Sequence, residues 1–188
     1  MINRVICRAL SLFAVTLAIT ASATPAEQTL VTRLVNDHFE LSVPVSHLVL
    51  IIPHGGLGPV DGPRAGASAS PRYFHLGDPG RGLIITGWFE PAATYKGIDA
   101  LWKGETDAWM HTGQPTPTNV LMRRIANWDA VLYDLNVPGG SNAHIRAEWV
   151  ALNTWIDLHI SITSTEPIET ARAMAMDMLR NIRVNEVH

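Results

Sequence analysis

The chain has 188 residues, 47% of them hydrophobic and 16% charged, with 14 basic against 17 acidic side chains and a formal net charge of −3. Mild acidity without a basic cluster leaves no electrostatic footprint for nucleic acid and no polybasic patch for anionic lipid. The single cysteine, Cys7, lies in the leader described next, so disulfides, thiol catalysis, cysteine zinc sites and iron–sulfur clusters are excluded from the mature chain.

The first predicted element is a secretory leader. Arg4 and Arg8 flank the start of an apolar run over residues 9–19, and Ala21-Ser22-Ala23 follows as a small-x-small cleavage signal. The run is far shorter than the ~20 residues of a spanning helix, and Cys7 precedes it, where a lipoprotein cysteine cannot lie. Cleavage after residue 23 removes two arginines and no acids, which leaves 165 residues at a formal charge of −5. That length suits one domain, residues 24–188, expected in the periplasm or outside the cell with no membrane insertion of the mature form.

Residues 26–53 read as extended, with Phe39, Leu41, Val43 and Val45 alternating ahead of an apolar run at 48–52. "HGGLGPVDGPRAGASASP", residues 54–71, reads as a long Gly/Pro-rich loop. A hairpin follows, with one strand over 73–76, a turn at Gly77-Asp78-Pro79-Gly80 and a return strand over 82–90. An amphipathic helix over about 97–110 carries Ile98, Leu101, Trp102, Glu105, Ala108 and Trp109 on one stripe. After the breaker "GQPTPT", the segments "WDAVLYDLNV", "HIRAEWVAL" and "TWIDLHISIT" read as three successive strands. Ser164-Thr165-Glu166-Pro167 then opens a helix over about 166–182, with a hydroxyl cap and proline in the first turn and with Glu169, Arg172, Asp177 and Arg180 on its outer face. Grouped strands with few helices predict an α+β fold, a curved, largely antiparallel sheet packed by the two helices.

Residues for chemistry are few. On the strand "TWIDLHISIT" one face bears Trp155, Asp157, His159 and Ser161, and a carboxylate two residues from an imidazole is placed to orient it as a general base. No G-x-S-x-G supplies a nucleophile, so the pair reads equally as the polar side of a half-buried strand. Eight histidines include no H-E-x-x-H and no i, i+4 pair; His54, His75 and His159 are the candidate metal ligands, drawn from separate segments. The glycine-rich stretch lacks G-K-[ST] and G-x-G-x-x-G, which excludes a phosphate loop, and no cofactor is expected. Most of the six tryptophans are expected in the core. Trp88 and Trp155 differ, because each shares its strand face with polar residues, Glu90 among them, and so becomes a candidate ligand contact.

The leader, "GWFEP" running into an amphipathic helix, and "TWIDLHISIT" feeding "ETARAMAMDMLRNIRV" resemble PsbP/DcrB-like exported α/β proteins, with the likeness concentrated in the last third of the chain. It also looks like small exported bacterial proteins of unknown function. The resemblance implies a final strand and helix packed on a curved antiparallel sheet, and an accessory or binding role. The expected function is an exported, non-enzymatic binding or accessory module for a protein or small ligand. The alternatives are a periplasmic hydrolase using Asp157 and His159, metal-assisted or not, and an immunity protein or inhibitor of an exported toxin.

Overall fold

The computed structural model describes residues 29–60, 72–137 and 140–186; the expected leader and residues 61–71 of the Gly/Pro-rich stretch expected as a loop over 54–71 lie outside the described residues. In chain order the strands and helices are β1 (Val31–Val35), β2 (His38–Val43), β3 (Leu48–Pro53), β4 (Gly58–Pro59), β5 (Tyr73–Asp78), β6 (Leu83–Pro91) and α1 (Ile98–Thr112). They continue with β7 (Thr118–Ile125), β8 (Trp128–Val137), β9 (Gly140–Ala151), β10 (Thr154–Ser164), α2 (Ile168–Asn181) and β11 (Arg183–Glu186). The fold is α+β, and every strand pairing among the described residues is antiparallel. The strands divide between two sheets, a four-stranded one in the order β1-β2-β3-β11 and a seven-stranded one in the order β4-β5-β6-β10-β9-β8-β7.

Alternation determines which face each strand buries. Ile156, Leu158, Ile160 and Ile162 of β10 point inward, in one cluster with Leu41, Leu50 and Ile52 of the smaller sheet and Ala171, Ala175 and Leu179 of α2. The main core therefore lies between the seven-stranded sheet and a layer made of α2 and the smaller sheet. Gly87 lets β6 sit close between its two neighbours in the sheet, since a Cβ there would lie 2.4 Å from the Asp157 carbonyl oxygen on β10 and 2.7 Å from the Phe74 ring on β5. The opposite face of the large sheet carries a second, smaller cluster, in which Trp102 of α1 packs on Val131 and Tyr133 of β8.

Four details differ from expectation. β7 has seven of eight residues exposed and so shows no apolar alternation, and β11 is only four residues long. At the start of α2, Pro167 is itself the N-cap and no side chain caps the helix. The Ser164 hydroxyl instead accepts the Glu166 N–H at 2.9 Å, one turn too early to reach the helix. Arg172, expected on the outer face of α2, turns to the sheet, where its Nε donates to buried Asp134 at 2.9 Å.

Candidate functional site

The pairing of β9 with β10 assembles the most polar part of the interior. Asp157 lies directly across from Glu148, His159 from Arg146 and Ser161 from His144. On the next strand Asp129, Val131 and Tyr133 of β8 face Glu148, Arg146 and His144. Because opposed residues share a face, these side chains meet on the side of the sheet covered by α1. His144, Arg146, Glu148 and Asp157 are all buried, and Asp157 is 0% exposed.

Arg146 joins the elements. One guanidinium nitrogen donates to Glu105 of α1 at 2.8 Å and to Asp157 at 3.1 Å, while the guanidinium carbon lies 5.2 Å from the centre of the Trp88 ring. The Trp155 indole N–H donates to Glu148, and its ring packs 5.4 Å from Tyr95. Burial, then the neighbouring Asp157 charge, pushes the Glu148 carboxyl far up. Burial also raises Asp157, but Arg146 opposes that rise. Two carboxyls face to face in the interior cannot both ionise, so Glu148 keeps the proton and Asp157 is the ionised partner of Arg146.

A row away, His144 Nδ1 and His159 Nε2 are 3.0 Å apart. Their ring planes lie within 10° and their centres 5.2 Å apart. The centre spacing matches the N···N distance plus two ring radii, so the imidazoles meet edge to edge as donor and acceptor. Tyr133 stacks on His144 at 4.9 Å and places its hydroxyl 3.3 Å from His159 Nε2. Burial holds His144 down to about 4 and His159 well below its ordinary value, so both are neutral at pH 7.

The sequence candidates fall into two groups. Trp88, Glu90, Trp155, Asp157 and His159 share one face, because β10 pairs Glu90 with Trp155 and Trp88 with Asp157. Asp157 and His159 do not act on each other: the carboxylate takes Arg146, and the imidazole takes His144 and Tyr133. His75 shares their face, but Thr86 of β6 stands between it and His159, which separates the two strands by about 10 Å. His54 packs its ring 5.4 Å from Phe39 and lines, with His75, a cavity of about 690 Å³. The three histidines proposed as ligands therefore do not converge, and among the described residues no group of three His, Cys, Asp or Glu side chains could hold a metal ion. Of the tryptophans, Trp102 and Trp128 are core, while Trp88, Trp109, Trp149 and Trp155 are half-buried.

Sequence reasoning missed Glu105, His144, Arg146 and Glu148. A signal existed in "HIRAEWVAL", where His144, Arg146 and Glu148 alternate on one face of a strand. Laid antiparallel against Asp157 and His159, that alternation sets unlike polar groups opposite one another.

No protein-family model matches the chain, and no curated protein matches it. Among solved structures it is similar to a protein from Bacteroides thetaiotaomicron VPI-5482, at 10% identity and a TM-score of 0.45, over 74% of this chain. The chain spans 45% of that protein's length.

Proposed function

We propose that this protein is an exported, non-enzymatic binding or accessory module that offers the outer face of its seven-stranded sheet to a small ligand or a protein. The observation that carries the reading is the half-open state of that face. Helix α1 packs on β8 and reaches β9 through Glu105, while Trp88, Glu90 and Trp155 remain partly exposed on β6 and β10. Beneath the two indoles lie Arg146, Asp157 and Glu148, a charge network that replacement by apolar residues would make cheaper to bury. Its retention fits a site whose aromatic contacts are held in place by fixed partners. A hydrolase would need Asp157 to orient His159, and the separate hydrogen bonds of these two residues favour binding over general-base chemistry.

The test is purification of the tagged protein from its native compartment, followed by native mass spectrometry. A bound molecule or partner is expected with the wild type and is at least tenfold depleted with Trp88→Leu, whose circular dichroism remains native. A wild-type protein that is monomeric and ligand-free at physiological concentration overturns the reading. A stable His159→Ala protein that loses a hydrolytic activity would replace it with the enzymatic one.

A further inference from the structure

The other end of α1 borders a different surface. β7 is the outermost strand of the seven-stranded sheet and pairs only with β8, so its outer edge has no backbone partner among the described residues. Val120, Leu121 and Met122 are between 40% and 51% exposed there, an apolar run on an open edge. Beside it lies a cleft of about 200 Å³ between α1 and the start of β7, lined by Trp102, Trp109, Met110, Pro117 and Val120 among others. Met110 at its rim is 73% exposed. Next along the strand come Arg123, with no ion pair among the described residues, and Arg124, whose Nε donates to the Ala126 carbonyl at 3.3 Å and whose ion pair with Asp129 is a loose 3.8 Å.

We infer that β7 accepts an extended segment of a partner protein as an added strand, one that brings an apolar side chain to the Trp102–Trp109 cleft and acidic residues to Arg123 and Arg124. The three features match the components of strand addition: an unpaired edge for main-chain hydrogen bonds, a pocket for a side chain, and charges that set the register. The same features disfavour a second copy as the occupant. The ladder is irregular between Thr118 and Leu121, where Asn119 has φ 53°, so regular pairing is confined to residues 121–125. A two-fold pairing of that stretch sets Arg123 opposite its own mate and crowds four arginines into one short ladder. An acidic strand reverses the sign of that interaction.

A displayed library of random ten-residue peptides, selected on the immobilised mature protein, tests the inference without a known partner. Peptides that combine apolar residues at alternate positions with acidic ones are expected. A selected peptide resynthesised with alternate backbone nitrogens methylated loses binding, since the added strand can no longer donate. The exposed double substitution Arg123→Glu with Arg124→Glu weakens the unmodified peptide at least tenfold, and Met110→Glu weakens it by a smaller factor. Trp88→Leu leaves the peptide affinity unchanged, which separates this edge from the sheet face proposed above. The inference is overturned by an empty selection, by binding that survives N-methylation or charge reversal, or by a loss on Trp88→Leu. It is likewise overturned by a concentration-dependent dimer in sedimentation that the double reversal abolishes.

Discussion

Arg146 is the residue on which the covered half of the large sheet depends. Its side chain is 6% exposed and contacts two acids from different elements, Asp157 at 0% and Glu105 at 26% side-chain exposure. Substitution by methionine keeps much of the volume and removes the charge, which leaves an ionised or newly protonated Asp157 without its donor. Breaking one side of a buried pair costs about 3–5 kcal/mol, and the urea midpoint of Arg146→Met should fall accordingly. Glu105→Gln retains an acceptor for the guanidinium and stands partly in water, so a cost of only about 1 kcal/mol is expected. Equal losses for the two variants would show that the network does not centre on the arginine.

At the scale of elements, the hairpin β5–β6, the three strands β8 to β10 and both helices were legible because each buries one face and so carries a period in its sequence. β7 was not, since an edge strand with an open surface has no apolar face to advertise. The division into two sheets was also hidden: it depends on which strands pair, and periodicity reports orientation to a core and not the neighbour. The same limit explains the site. Asp157 and His159 were visible within one strand, whereas their partners Arg146 and His144 come from the next strand and Glu105 comes from α1. Two consequences follow for the elements. Gly87→Ala places a methyl group against the Asp157 backbone and Phe74, and should cost at least the 1–3 kcal/mol of an overpacked core, read from thermal or urea unfolding. Helix α1 has Trp102 as its one buried residue and lies between Gly97 and Gly113, both at positive φ. Its amides should therefore exchange well before those of β9 and β10 in native-state hydrogen exchange. Trp102→Ala should widen the gap without unfolding the sheet.

For the whole molecule, the two polar clusters drive stability in opposite directions with pH. His144 and His159 are held below their ordinary value, so the unfolded chain binds more protons than the folded one as pH drops from 6.5 towards 4, and stability is lost on acidification. Glu148 and Asp157 are held above theirs, so the folded state keeps protons that the unfolded chain releases, and stability is lost as pH rises. Between about pH 4.5 and 6 the two effects oppose each other and the profile should be nearly flat, a window set by these shifted groups. Above about pH 7.5 the histidines are neutral in both states and Glu148 still holds its proton. Stability should then decline by up to about 1.4 kcal/mol per pH unit, the free energy of one proton of difference. Glu148→Gln supplies a permanently neutral side chain in place of the protonated acid, and the amide can still donate to Asp157. The variant should match the wild type near pH 5 and exceed it progressively from pH 7 to 9 in urea unfolding. A wild-type profile that stays level through that range, or a variant that declines in parallel with it, would mean that Glu148 is ionised beside Asp157 and that the carboxyl pair does not share a proton.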